Sequence, residues 1–431
     1  MDQLPARTAS ATHRVVDAVW RMESAKLIGV LTRVTGDVGL AEELAQDALV
    51  AALERWPETG VPDKPGAWLM ATAKHRAIDV FRRVERLERK TAELGRELPE
   101  AEEPDWVAAL DEVVEDDVLR LVFISCHPVL SREARVALTL RLIGGLTTDE
   151  IARAFLVAES TVAQRIVRAK RTLTAARVPF EVPAGPEFTA RLSSVLEVVY
   201  LVFNEGYSAT SGRDWVRPAL CQEALRLGRI LAELTPGEPE VHGLVALMEI
   251  QASRLRARIS ETGEPVLLTD QDRGRWDRML IGRGLAALER AGQSGSALGQ
   301  YGLQAAIAAC HARAGTVEAT DWPQIAALYE ALAELTPSPV VELNRAVAVS
   351  RAYGPAAGLE LVDALTDVPA LRGYHLLPSV RGDLLVQLGR HDEARPEFEH
   401  AASLTRNERE QALLRDRAAA CAVPSGRQLG G

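Results

Sequence analysis

Two stretches of this 431-residue chain concentrate side chains suited to chemistry on anions. Lys74, Arg76, Arg82 and Arg83 share one run without a helix breaker, and residues 74–90 hold seven Lys or Arg against three acids. Residues 153–177 hold six against one, among them Arg165, Arg168, Lys170 and Arg171. Cations at that density neutralise phosphates and release counterions, and a planar guanidinium also reads base edges. Between the two, residues 97–117 carry ten acids and no base. The net charge of −10 hides this layout, which fits two nucleic-acid contacts on a tether. On charge alone, two solvated helix faces fit as well.

A third cluster mixes signs. Residues 267–284 read LLTDQDRGRWDRMLIGRG and bring together Asp270, Gln271, Asp272, Arg273, Arg275, Trp276 and Asp277. Carboxylates, forked donors and an apolar anchor are the residue mix of an interface hot spot, so a surface latch or partner site is the first expectation. Helix capping with an internal ion-pair network is the other. The DxD spacing of Asp270 and Asp272 also admits a divalent cation or glycosyl transfer, but no phosphate loop or further ligand cluster accompanies it. Cys126-His127 and Cys310-His311 each offer only two ligands. With no G-x-S-x-G, Walker or G-x-G-x-x-G pattern in context, we expect no metal, no cofactor and no enzyme.

Helices must hold these groups. The chain is rich in Ala, Leu and Arg, with 5% aromatics and short β-branched runs, which favours an all-α fold. A first helix is expected over 13–35, with Val16, Val19, Trp20, Leu27, Val30 and Leu31 on one face. A second spans 40–56 and is ended by Pro57; after a proline-stiffened loop, a third spans 67–89. Residues 148–155, 156–159 and 160–173 have the spacing of a helix-turn-helix. Ile151, Val162 and Ile166 point to a shared core, and Ser160 or Thr161 caps the second helix. Thr161, Gln164, Arg165, Arg168, Lys170 and Arg171 fall to the DNA side. Leu156 stands where many such turns carry Gly.

The order of these motifs resembles an extracytoplasmic-function (ECF) RNA polymerase sigma factor of the sigma-70 family, over roughly residues 12–178. AEELAQDALVAALERW is similar to region 2.2, and the resemblance implies that Glu43, Gln46 and Asp47 meet the polymerase β′ clamp while Leu44 and Leu53 serve the core. GAWLMATAKHRAIDVFRR is similar to regions 2.3 and 2.4, implying contact of Lys74, His75, Arg76, Arg82 and Arg83 with the −10 element. His75 stands where many members carry Asn. Trp68 reads as core more than base-stacking, Asp79 as a partner of Arg76 or Arg82, and the loop 58–64 as a pocket wall for an extruded base. Residues 115–177 resemble region 4, which reads the −35 element and meets the β flap.

The second half reads as helices of 12 to 18 residues with a faint repeat. LAELTP occurs at 231–236 and again at 332–337. Ala224 and Pro236, then Gly382, Ala394, Phe398 and Ala401, fall in tetratricopeptide register. A long helical extension bearing the 267–284 motif resembles the ECF42 group, which implies a regulatory tetratricopeptide-like domain. The expected domains are 12–92 (region 2-like), 93–113 (acidic linker), 114–178 (region 4-like), 179–186 (Pro-rich linker) and 187–421 (tetratricopeptide-like). Expected partners are core RNA polymerase, promoter DNA, an intramolecular contact of the extension with the sigma-like domains, and an unknown regulatory protein. Without an apolar leader or an 18-residue apolar run, the expected location is cytoplasmic, with reduced thiols and no membrane. The rival reading is a helix-turn-helix regulator with a ligand-sensing helical C-terminal half that does not bind polymerase.

Overall fold

The computed structural model describes residues 4–93, 117–155, 157–208, 211–212, 215–261, 264–293, 295 and 297–422. Leu156 and nearly all of the expected acidic linker lie outside the described residues. Two compact units divide the chain, Met1–Val198 and Val199–Gly431.

The first unit opens with α1 (Leu4–Thr35), α2 (Val38–Thr59) and α3 (Pro65–Glu93), each packed on the other two. In α1, Val16, Val19, Trp20, Leu27, Ile28 and Leu31 recur at helical spacing and are buried. Gly36, at φ 67°, ends the helix in the left-handed region that a side chain disfavours. Asp37 then caps α2, its carboxylate accepting the Leu40 N–H at 2.9 Å. Ala41, Ala45, Ala48 and Ala52 line the inner face of α2, small enough to let α1 close on it. Pro57 does not end α2 as expected. In the last turn its missing N–H forfeits one bond, and Gly60 at φ 83° makes the stop instead. Leu69, Ala73 and Ala77 point inward from α3 at four-residue spacing.

Helices α4 (Asp117–Ser125), α5 (Arg132–Leu142), α6 (Thr148–Phe155) and α7 (Glu159–Ala175) form a second small bundle around Phe123, Leu138, Leu140, Ile151, Val162 and Ile166. α8 (Gly185–Tyr207) follows the proline-rich segment, and the division between units falls inside it. Its early part belongs to the first unit: Arg191 Nη2 donates to the Phe123 carbonyl at 2.9 Å, and the Ser194 hydroxyl to the Cys126 carbonyl at 2.7 Å.

The second unit holds α9 (Pro218–Leu234), α10 (Pro239–Ala252), α11 (Arg278–Gly292), α12 (Gln300–Arg313), α13 (Trp322–Leu335), α14 (Pro339–Tyr353), α15 (Pro355–Asp363), α16 (Leu376–Gln387), α17 (His391–Leu404) and α18 (Glu408–Cys421). Most of these helices pack on their sequence neighbours, and α10 also packs on α12. That is the contact pattern of a quasi-linear array. The fold is all-α as expected, apart, among the described residues, from a two-residue parallel ladder pairing Ser211 with Arg406 and Gly212 with Asn407 and an isolated antiparallel bridge between Ile259 and Pro265. The LAELTP repeats build one structure twice. The Thr235 N–H bonds the Leu231 carbonyl at the end of α9, the Thr336 N–H bonds the Leu332 carbonyl at the end of α13, and each next helix starts on a proline. Gly382 on α16 lies so close to Phe398 on α17 that an added Cβ would stand 2.8 Å from the ring.

Candidate nucleic-acid interface

His75, Arg76, Arg82 and Arg83 are exposed on α3, and Lys74 is half-buried. His75 and Arg82, like Arg76 and Arg83, are seven residues apart, which lines up each pair with a separation of about 10.5 Å, the two lines lying about 100° apart on the exposed side of the helix. Arg76, Arg82 and Arg83 have no carboxylate partner among the described residues. The expected pairing of Asp79 with Arg76 or Arg82 is therefore absent. Fixing two exposed side chains costs rotamer entropy that such a pair scarcely returns. Trp68 is half-buried, its ring edge-on to the buried Trp56 at 5.4 Å between centroids.

In the helix-turn-helix, Ile151, Val162 and Ile166 are 1%, 1% and 6% exposed, so α6 and α7 share the core that the spacing requires. The cap differs from expectation. α7 starts at Glu159 with Ala158 as N-cap and no side-chain cap, so Ser160 and Thr161 lie inside the first turn. Glu159 there complements the helix dipole. The positive-φ glycine of this region is Gly145, before α6, at φ 67°. Gln164, Arg168 and Arg171 are exposed; Thr161 and Arg165 are half-exposed. Arg165 lies near Glu133, whose carboxyl its own backbone N–H and the Ser131 hydroxyl hold low, with desolvation opposing and the Arg165 charge adding to the depression.

Lys170 is placed differently. Its ammonium pairs with Glu42 on α2, a residue that sequence reasoning passed over. Arg141 on α5 closes on the same carboxylate, Nε to Oε1 at 2.6 Å. Burial alone would raise the Glu42 pKa, but Lys170 and Arg141 overcome that and hold it below the ordinary carboxylate range. A second link ties α1 to α4, Arg33 Nε to Asp117 Oδ2 at 2.9 Å, and a third joins Arg21 to Glu150 at 2.5 Å. The three-helix bundle and the helix-turn-helix bundle are thus packed together by ion pairs. On the outer side of α2, Glu43 and Asp47 are exposed and Gln46 half-exposed, opposite the buried Leu44; Leu53 is half-buried. The signal for Glu42 was an acid on the alanine face of α2, where a charge demands a partner.

The 267–284 motif turns inward. Trp276 is 3% exposed, Gln271 5% and Arg273 8%, so the apolar anchor of an interface latch is consumed inside the C-terminal unit. Arg273 donates to the carbonyls of His311 and Ala314 at 2.7 Å each and to the Thr320 hydroxyl at 3.0 Å. Arg254 and Arg273 flank the Trp276 ring at 5.7 and 5.0 Å. Asp272 caps a 3-10 turn through the Gly274 N–H, Asp277 caps α11 through Met279 and Leu280, and the exposed Asp270 carboxylate accepts from the Thr269 hydroxyl. Asp272 and Asp277 act as caps, while Arg273 bonds neutral acceptors where an ion-pair network was expected. No group of three metal-ligating side chains forms among the described residues. No described helix is long and apolar enough to cross a membrane.

Comparison with known proteins agrees with this geometry. Residues 20–87 match the family described as Sigma-70 region 2, residues 120–173 match Sigma-70, region 4, and residues 191–292 match a family of unknown function (DUF6596). The chain is 46% identical over 393 residues to uncharacterized protein R00370 of Rhizobium meliloti, covering 90% of this chain and 91% of that protein. It is 31% identical to the ECF RNA polymerase sigma factor SigL of Mycobacterium tuberculosis, over 38% of this chain and 90% of SigL. It is 30% identical to the probable ECF RNA polymerase sigma factor SigI of the same species, over 38% of this chain and 57% of SigI. With both sigma regions in order on one compact unit, and SigL matched over nearly its whole length, the chain belongs to the ECF-type RNA polymerase sigma factors of the sigma-70 family.

Proposed function

We propose that this chain binds core RNA polymerase and directs it to −10 and −35 promoter elements, initiating transcription in the cytoplasm. The observation that carries the reading is the pair of cationic helices, α3 and α7, on two bundles of one unit. In this reading His75, Arg76, Arg82 and Arg83, with Lys74 beside them, take the −10 strand. Gln164, Arg165, Arg168 and Arg171, with Thr161, take the −35 duplex. Glu43, Gln46 and Asp47 meet the β′ clamp, and the helix-turn-helix bundle meets the β flap.

The promoter sets a geometric demand. Elements 25 base pairs apart lie about 85 Å apart along B-form DNA. Two packed bundles of this size span on the order of 60 Å end to end. The Glu42 contacts with Lys170 and Arg141 must therefore open before both elements are engaged, and opening frees Lys170 for phosphate. We further infer a tetratricopeptide-like, ECF42-type C-terminal unit that regulates the sigma half, alone or with a separate regulatory protein. Support comes from the twice-built LAELTP hairpin and the Gly382–Phe398 contact.

Run-off transcription with purified core polymerase and the full chain tests the central claim. Specific initiation is expected, with Asp47→Lys slowing holoenzyme assembly several-fold. DNA binding without initiation would overturn it.

A further inference from the structure

The C-terminal unit contains an open cleft of about 380 Å³ that the sigma-factor reading does not use. Its walls come from α9, α10 and α11, inside the stretch that matches the family of unknown function. Arg229, Arg283 and Arg290 line it together with His242, Glu233 and Glu249. We propose that this cleft binds a small hydroxylated organic anion, a sugar phosphate or a hydroxy acid.

The argument starts from the floor. Glu249 is 1% exposed, and its Oε1 accepts from Arg229 at 2.8 Å and meets Arg283 at 3.4 Å. Its Oε2 is buried without a hydrogen-bond partner. His242 is 7% exposed and lies against the Pro236 carbonyl, Nε2 to oxygen at 2.8 Å. A carbonyl only accepts, so Nε2 carries the proton, and in the tautomer with a single ring proton Nδ1 presents a lone pair. Nδ1 also lacks a partner. A buried acceptor left unmade costs about 1–3 kcal/mol, so two in one cleft call for a ligand that donates.

The rim asks for the opposite. Three guanidinium groups against the two carboxylates of Glu233 and Glu249 leave one positive charge in excess. Arg290 has no carboxylate within ion-pair distance among the described residues. Its fork, with that of Arg283, suits a phosphate or carboxylate. Because two guanidinium groups already balance Glu249, the donor that reaches its free oxygen is best a neutral hydroxyl. The cleft volume suits a metabolite, near the lower end of the usual range for ligand sites. That this ligand controls transcription rests on the regulatory reading above; that it binds does not.

Calorimetric titration of the full chain with glucose 6-phosphate and with citrate separates the phosphate and carboxylate sources, with inorganic phosphate and glucose as controls. At least one of the two organic anions should bind about tenfold or more tightly than phosphate, and glucose should not bind. Arg290→Ala, an exposed change that spares the fold, and Arg283→Gln should each weaken that binding about tenfold. Binding no tighter than phosphate for both anions, or affinity unchanged in both variants, would overturn the site. If the anion binds as expected but leaves run-off transcription unchanged, the site stands and the regulatory reading falls.

Discussion

Arginine does opposite work on the two cationic helices of the first unit and around Trp276 in the second. On α3 and α7, Arg76, Arg82, Arg83, Arg168 and Arg171 are exposed and unpaired with any described carboxylate. In the C-terminal unit, Arg254 and Arg273 are buried against Trp276, and Arg273 spends its donors on two carbonyls and a hydroxyl. An exposed guanidinium keeps its donors and charge for a phosphate. A buried one holds together backbone that would otherwise carry unmade acceptors. Charge density in a sequence therefore locates arginines without saying what they hold, and the neighbours decide.

The sharpest way to break this contrast is Arg273→Ala. Three acceptors lose their donor at once, and at about 1–3 kcal/mol each the C-terminal unit should lose roughly 3–9 kcal/mol. Arg273→Lys should rescue little, since one ammonium cannot serve three separated acceptors. Denaturant unfolding reads the loss, and a drop below 1 kcal/mol would mean that the buried arginine is ornamental.

A smaller effect concerns His311, whose pKa burial pushes down to about 3, with Arg254 and Arg273 adding to it. The unfolded chain binds this proton near pH 6.5, and the folded chain does not until about pH 3. The associated stability is complete above pH 6.5 and drains away as pH falls towards 3. His311→Gln should flatten that slope, measured as unfolding midpoint against pH.

On the exposed side, Arg165→Ala and Arg168→Ala should each weaken −35 binding by about 1–3 kcal/mol while core polymerase binding persists. Lys170→Ala should instead loosen the two N-terminal bundles in the free chain, detectable as faster amide exchange around Glu42. If amide exchange around Glu42 were unchanged in Lys170→Ala, the distinction drawn for Lys170 would fail. The smallest change is expected at Arg153, whose pair with Asp149 is largely solvent-exposed. Arg153→Ala should shift stability by no more than about 0.5 kcal/mol, a size that thermal melts barely resolve.

Much of the first unit was legible because period and chemistry agreed there. Ile151, Val162 and Ile166 sit one helical turn or one motif apart, and most of the cations of α3 fall on its solvent-exposed side. What stayed illegible depended on partners distant in sequence. Glu42 and the solvent-facing Glu43 are the same residue type side by side; the alanine face of α2 turns Glu42 inward, but its partners Arg141 and Lys170 lie 99 and 128 positions away, where no local pattern names them. Trp276 and Arg273 resembled an exposed hot spot because buried arginine needs carbonyls that no local pattern announces. Pro57 misled for a simpler reason. A proline costs little where the helix was about to end.

The twin LAELTP stops have a consequence for how this chain can change length. Thr235 sits at φ −131°, ψ 62° and Thr336 at φ −134°, ψ 83°, so the backbone leaves both helices along nearly the same path. Unequal crossing-over between two such places joins one exit to the other without bending the chain at the seam. A tandem copy of the intervening stretch would enter and leave the array through a joint that it already contains. The hexapeptide is in that sense a coupling of standard gauge.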